Sequence, residues 1–320
     1  MKLKYLSHGV LKTGGYRHEK FMFESVVNKL ELPPNEYQIE RLPKQFNHLL
    51  AYIYLLVWGF VKSNAEINIV VSRLALSALL RNWFNQNQVW IVLHNFDEND
   101  QKSKLMKRYY SYLFKRLRKV KHNRFKVITV ADYWQQYLTN EQHLPNVKLF
   151  PNLFEPEFYT KFHKKHKNAW VHLGQYSSKN HEDIYRLAKV LTQDGFYCYF
   201  STLDSSLAKP FNGQFEIIYF HSFNDYLDQV SRSMCTVCLI KVNEGWNRLA
   251  HESILIGTPV LGYGNGGLGE FLKKSHSIIV QDIDEAYTCI KASLFMLPES
   301  SFFQDYHTNK AQDYLNKVMQ

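Results

Sequence analysis

The sequence is poor in the features that build a disulfide framework, a metal cage or a membrane span. It holds only four cysteines in 320 residues: Cys198, Cys235, Cys238 and Cys289. Cys235 and Cys238 have C-x-x-C spacing, but no second Cys/His pair stands at zinc distance, so no metal site is expected. Both lie in the apolar run "MCTVCLIKV", which reads as a buried strand whose residues three apart point to opposite faces. They are read as buried structural thiols in a reducing compartment. The N-terminal "MKLKYLSHGVLKTGG" lacks a sustained apolar stretch, so no signal peptide is expected. The longest apolar run, Leu49–Val61, has 13 residues, short of the roughly 20 that cross a bilayer. It reads as a core helix, and the protein as cytoplasmic, either soluble or peripheral at the inner face of a membrane. Acidic residues are scarce in the first half. Residues 1–150 carry 23 Lys/Arg against 11 Asp/Glu, whereas the remainder carries 16 against 18. The whole positive excess therefore sits at one end and favours an anionic partner.

The rest of the composition is globular, 45% hydrophobic and 21% charged, with abundant Tyr and Phe. Strand-like runs lie at 67–72, 89–95, 126–131 and 147–152, and again at 169–174, 197–202, 215–220, 236–242, 259–264 and 277–282. Helical patterns separate them, for example Asn180–Gln193, Phe223–Ser233 and Asp284–Leu297. Apolar strands alternating with helices predict parallel sheets covered on both faces. The polar stretch 155–168 reads as an interdomain linker, and its His163 and His166 as part of a solvated basic segment. The expected plan is an N-terminal domain over 1–155, a C-terminal domain over 156–300, and a terminal helix over Ser301–Met319 that packs back on the first domain. Each domain is a doubly wound, Rossmann-like α/β sheet, and the two face a cleft. Ligands of such sheets bind beyond the carboxyl ends of the strands.

The segment "NEGWNRLAHESILIGTPVLGYGNGGLGEF" (243–271) concentrates the chemistry. Glu244 follows a buried strand, and Glu252 comes after seven intervening residues. Gly245 permits a tight turn into a helix near Asn247, on which Arg248 and Glu252 share a face. A helix N-terminus offers free N–H groups to a diphosphate, and the two carboxylates could hold separate sets of hydroxyls. The bland alternative is a surface helix with an ordinary Arg–Glu pair.

This segment resembles the donor-site signature of the retaining glycosyltransferase family 4. In that signature two Glu have seven residues between them, followed by Gly-x-Pro-Val, here Gly257-Thr258-Pro259-Val260, and a Gly-Gly turn, here Gly266-Gly267. The resemblance extends to Pro151-Asn152, to Gly14-Gly15 after a first strand, and to "VHLGQYSSKNHEDI" (171–184). It implies the GT-B fold and transfer of a sugar from a nucleotide-sugar donor, a UDP- or GDP-sugar, to a glycan or lipid-linked acceptor in envelope or exopolysaccharide synthesis. It implies no cofactor beyond the nucleotide-sugar co-substrate, and no metal. Glu252 would bind the ribose, Glu244 the transferred sugar, and Lys179 the diphosphate. Gly14, Gly15, Gly174, Gly245, Trp246 and Asn247 would line the donor, and His94 would stand near the donor sugar. One departure is Gln175, where the family usually has Arg. Arg248 is the expected substitute for that charge, and so joins His94 and Glu244 as a catalytic candidate.

"GYGNGG" (262–267) matches a dinucleotide fingerprint literally, and Asp282 and Asp284 stand at about the right distance for its acid. Too little chain follows to complete such a sheet, so the glycines read as a close backbone turn. The segment Lys102–Lys126 has 11 Lys/Arg and no acid, with Met106, Tyr110, Leu113, Leu117 and Val120 at helical spacing. It predicts docking on an anionic membrane surface, ahead of nucleic acid, for which no motif is present; a solvated helix face is the alternative. Two rival functions stand beside transfer: a non-catalytic binder of a nucleotide sugar or a partner, and a sugar-nucleotide epimerase using Asp97, Glu98 or Asp132. The donor sugar, its nucleotide base, the acceptor, the linkage and the oligomeric state are not written in the sequence.

Overall fold

The computed structural model describes residues 2–7, 14–41, 57, 64–71, 75–84, 87–94, 104–120, 124–164, 167–176 and 182–320. The chain divides into two compact units, Met1–Leu153 with Asn309–Gln320, and Phe154–Thr308.

The sheet of unit 1 contains β1 (Leu3–Ser7), β2 (Tyr37–Arg41), β3 (Ile67–Val71), β4 (Gln88–Leu93), β5 (Phe125–Thr129) and β6 (Val147–Leu149). They pair in parallel in the order β2-β1-β3-β4-β5-β6. β3, β4 and β5 are near-continuous apolar runs buried at successive positions, as a parallel sheet covered on both faces requires. β1 and β2 escaped the reading of β-rich runs for a physical reason. "LKYLS" and "YQIER" contain one β-branched residue between them, and their lysine and glutamate read as polar. Lys4 Nζ in fact pairs with Glu40 Oε2 at 2.5 Å, while Leu3, Tyr5 and Leu6 are buried.

Around this sheet lie α1 (Gly14–Lys29), α2 (Ala75–Phe84), α3 (Lys104–Leu117), α4 (Asp132–Gln136) and, from the far end of the chain, α12 (Ala311–Met319). α3 turns Tyr110, Leu113, Phe114 and Leu117 into the core. Lys104, Lys107, Arg108, Lys115 and Arg116 remain exposed beside Tyr112, itself 52% exposed. Lys126, counted with this basic surface from sequence, is instead buried. Its Nζ donates to the carbonyls of Val318 and Met319, each at 2.6 Å. A cation there satisfies the open carbonyls and complements the dipole at the end of α12. Burial, with Lys148 adding repulsion, lowers its pKa.

Unit 2 holds β7 (Asn168–Gln175), β8 (Tyr197–Thr202), β9 (Glu216–Tyr219), β10 (Ser233–Cys238), β11 (Val260–Gly262) and β12 (Ile278–Ile279). They form a parallel sheet in the order β12-β11-β10-β7-β8-β9. The helices are α5 (Pro156–Thr160), α6 (Glu182–Gln193), α7 (Phe223–Arg232), α8 (Arg248–Leu255), α9 (Gly266–Lys274), α10 (Ile283–Lys291) and α11 (Ser300–Asp305). The order is that of a dinucleotide-type sheet, with its direction of winding reversing between β7 and β10. Cys198, Cys235 and Cys238 are buried in it. Burial raises all three thiols, Cys198 and Cys238 to about 12.

Two expectations are corrected. The segment 155–168 is not simply a solvated linker: it forms α5, buries Tyr159, and packs Phe158 and Phe162 against Phe223 and Tyr226. His163 stays exposed within it, while its Nε2 bonds the carbonyl of Leu255 at 2.8 Å; His166 lies outside the described residues. The helix expected over Ser301–Met319 is two, α11 and α12. Between them the backbone turns aside to pair with Phe154, whose N–H donates to Tyr306 O at 2.8 Å and whose carbonyl accepts from Thr308 N–H at 2.9 Å. Those bonds replace the ones a continuous helix would make. The apolar run Leu49–Val61 lies outside the described residues except for Val57. Among the described residues no helix is long and apolar enough to cross a membrane.

Lys126→Ala leaves the last carbonyls of α12 without their donor. The expected cost is about 1–3 kcal/mol in urea unfolding, with amide exchange quickening first in residues 311–319. In unit 2, burial pushes the Lys167 amine down to about 8 from 10.5, while its Nζ donates to Ser231 O and Thr258 Oγ1. Between pH 8 and 10.5 the unfolded chain therefore binds the extra proton, and stability rises with pH. Urea midpoints across that window should rise less in Lys167→Met than in wild type.

Candidate functional site

In unit 2 the candidate residues gather where the sheet reverses its winding, beyond the carboxyl ends of β7 and β10. Gly174, at a φ of +78°, sits in an irregularity of β7, close to the Val237 carbonyl of β10. Gln175 ends the strand and is exposed. Lys179 lies outside the described residues.

After β10 the chain crosses residues 239–247 before entering α8. The backbone of Glu244 is pinned to the turn after β11: it bridges Gly266, and its carbonyl accepts from Gly267 N–H at 2.9 Å. This approach needs a residue without a side chain. A Cβ on Gly266, already at a φ of +59°, would stand 2.9 Å from Asn243 Cα and from Glu244 N and O. A Cβ on Gly262 would stand 2.5 Å from the Cys238 carbonyl, and one on Gly269 2.2 Å from the Gly264 carbonyl. The run "GYGNGG" is thus used for backbone packing. The acid that a dinucleotide would need is also spent, because Asp282 Oδ1 accepts from the N–H groups of Asp284 and Glu285 to cap α10.

Gly245 is buried, and Trp246 turns its indole inward at 2% exposure. The indole N–H donates to His251 Nδ1 at 3.0 Å. His251 lies among Phe154, Phe271, Phe302 and Tyr306, and burial holds its pKa well below the usual value. Asn247 adopts the left-handed conformation, φ 56°, and caps α8 by accepting from Ala250 N–H at 3.0 Å. Such a non-glycine residue stores local strain that the surrounding contacts must hold. One turn on, Arg248 Nε donates to Glu252 Oε1 at 3.0 Å, and the guanidinium lies over the Phe154 ring, 4.4 Å from its centroid. Its terminal nitrogens make no hydrogen bond among the described residues. Glu252 is buried. Nearby Tyr226 has a buried hydroxyl with no hydrogen-bond partner among the described residues. Burial, then the charge of Glu252, raises its pKa well above the ordinary value.

In unit 1, Gly14 and Gly15 open α1 on the carboxyl side of β1, and His94 follows β4 directly. Sequence reasoning missed the partner of His94: Glu19 Oε1 lies 2.7 Å from His94 Nε2. The two are 75 residues apart, so no local spacing could have joined them. Asp97 and Glu98 lie outside the described residues. No group of three or more metal-ligating side chains occurs among the described residues.

No protein-family model matches the chain, and no curated protein matches it either. Solved structures do. HepE of Anabaena, in complex with UDP and glucose, matches over 100% of this chain and 99% of its own, with a TM-score of 0.70 at 12% identity. Sucrose-phosphate synthase of Thermosynechococcus elongatus matches over 100% and 97%, with a TM-score of 0.66 at 12% identity. WaaG, a glycosyltransferase involved in lipopolysaccharide biosynthesis, matches over 98% and 95%, with a TM-score of 0.63 at 12% identity. The fold is GT-B. At these identities the likeness is one of fold, and the GT-B frame puts Glu244–Glu252 after the fourth strand of the second sheet of this chain.

The pinning of Glu244 yields a direct comparison. Gly266→Ala is expected to cost about 1–3 kcal/mol and to open residues 239–247 to protease. Gly213→Ala, at a φ of +88° but in open space, is expected to cost about 1 kcal/mol and to leave that loop protected. Thermal unfolding and limited proteolysis of both variants check this.

Proposed function

We propose that the chain is a glycosyltransferase that takes a sugar from a nucleotide sugar held by unit 2. The observation that carries this reading is the pair Glu244 and Glu252 on either side of a strained, capped helix start at the point where the sheet reverses. Free N–H groups at that start suit a diphosphate. Glu252, with the buried, unpartnered hydroxyl of Tyr226 beside it among the described residues, suits the hydroxyls of a ribose, and Glu244 those of the transferred sugar. The neighbours' folds add support, since HepE was solved with UDP and with UDP-glucose.

The resemblance to family 4 supports transfer with retention, by front-face attack in which the acceptor proton passes to a donor phosphate oxygen. The protein then supplies orientation and charge. Arg248 fits the part of the cation lost at Gln175, because its terminal nitrogens remain open while Nε is held by Glu252. By the same resemblance, Lys179 is assigned to the donor diphosphate, and Gly14-Gly15, which open α1, to the donor. His94 is assigned to the transferred sugar. A lipid-linked or glycan acceptor, and docking on anionic lipid at the cytoplasmic face, fit the exposed cations of α3. The apolar face of α3 is committed to the core, so such docking is electrostatic, with Tyr112 as its ring contact. Gln175 favours one second reading, a member of this fold that binds a nucleotide sugar without turning it over.

Calorimetry against UDP-, GDP- and ADP-sugars tests both. Wild type is expected to bind one class, and Glu252→Ala to lose it while remaining folded. Turnover of that donor, abolished in Arg248→Ala, separates enzyme from binder. Wild-type turnover in Arg248→Ala removes Arg248 from the mechanism, and folded wild type that binds no nucleotide sugar removes the function.

A further inference from the structure

The carboxylate of Glu19 occupies a position in unit 1 that packing alone does not explain. It sits on α1, five residues after Gly14, and is only 6% exposed. A carboxylate so enclosed is costly unless its oxygens are met by donors. Both are met. Tyr5, fully buried on β1, donates its hydroxyl to Oε2 at 2.6 Å, and His94 offers Nε2 to Oε1 at 2.7 Å. The His18 ring stands edge-on to the His94 ring, with centroids 5.3 Å apart, and Phe150 backs His18 at 5.6 Å. The imidazole is therefore gripped at one nitrogen and walled by a second ring. Its outer part stays open, with a quarter of the side chain (25%) accessible.

We propose that Glu19 is a positioning residue for His94, fixing the ring so that Nδ1 is presented as an acceptor to a hydroxyl of the sugar. A carboxylate has only acceptor oxygens, so the proton of the neutral ring must lie on the nitrogen that faces it. That places N–H at Nε2 and leaves Nδ1 with a lone pair. The partner of one ring nitrogen thereby decides what the other can recognise. Tyr5 holds the far oxygen, so the carboxylate cannot swing away from the ring. The consequence is selectivity for a ligand group that donates, which a sugar hydroxyl does and a bare phosphate oxygen does not. This inference rests on the reading of the chain as a nucleotide-sugar enzyme.

The experiment has two arms. In protein labelled with 15N-histidine, the His94 ring signals, identified by their loss in His94→Ala, report the tautomer directly. Wild type and Glu19→Gln, whose amide oxygen can still accept from Nε2–H, are expected to show the Nε2–H form; Glu19→Ala is expected to lose it. In the second arm, calorimetry compares UDP with UDP-glucose. UDP affinity is expected to be unchanged in all variants. The extra affinity for UDP-glucose should fall about tenfold, the worth of one hydrogen bond, in His94→Ala and in Glu19→Ala. It should recover in Glu19→Gln, and the Glu19→Ala/His94→Ala double variant should be no worse than His94→Ala alone. An unchanged tautomer in Glu19→Ala overturns the proposal, as does wild-type preference for UDP-glucose in His94→Ala. If wild type binds neither UDP nor UDP-glucose, the functional reading fails, and the tautomer comparison still decides whether Glu19 positions His94.

Discussion

A parallel sheet buried on both faces has only one kind of place to put a polar, ligand-facing side chain: the ends of its strands. Both units obey that constraint. The runs of β3, β4 and β5 in unit 1 are buried almost throughout. His94 appears at the first position after β4, and Gly14 in the first turn of α1. In unit 2 the same rule sends Gly174 to the end of β7, and Glu244, Asn247, Arg248 and Glu252 to the segment beyond β10. These two strands are neighbours only because the winding reverses between them. The described candidate donor residues of unit 2 collect beyond that reversal.

Precision at that place comes from contacts between backbones. Gly262 lets β11 lie against Cys238 of β10, Gly266 lets the turn after β11 lie against Asn243 and Glu244, and Gly269 lets α9 close on Gly264. The Glu244 carbonyl is then fixed by Gly267. Aromatic packing completes the frame. Trp246 holds His251 by a hydrogen bond, His251 is surrounded by rings from α9, α11 and Phe154, and Phe154 in turn supports the guanidinium of Arg248. A chain of tilted ring contacts thus runs from the first residue of unit 2 to the helix that carries Glu252.

What could be read beforehand follows from the range of each interaction. The strands β3 to β12 announce themselves by local composition. So does the Arg248–Glu252 pair, because four residues apart on a helix means face to face. β1 and β2 were harder: β1 buries Leu3, Tyr5 and Leu6 around a lysine, Lys4, that pairs across to Glu40 of β2. The 155–168 stretch misleads in a related way. Its charges dominate its composition, whereas its structure is set by Phe158, Tyr159 and Phe162. Glu19 and His94 lie beyond any local pattern. Trp246 was read as a donor contact by its place in a motif, and its indole points the other way. Motif position fixed where the backbone runs, and only packing fixes where the ring goes.

The capture of α12 by Lys126 has a consequence for the order in which the molecule is made. Unit 2 is one uninterrupted stretch, Phe154–Thr308, while unit 1 needs residues 309–320 to finish its core. Leu315 and Val318 fill that core, and the carbonyls that accept from the buried Lys126 come from the same helix. During synthesis the first 153 residues emerge from the ribosome with a lysine in their sheet and no partner for it. The second unit has every residue it requires before the first one does. Domains usually complete in the order they are translated; here the earlier-made half must wait for the later one, exposed and basic, and is closed last.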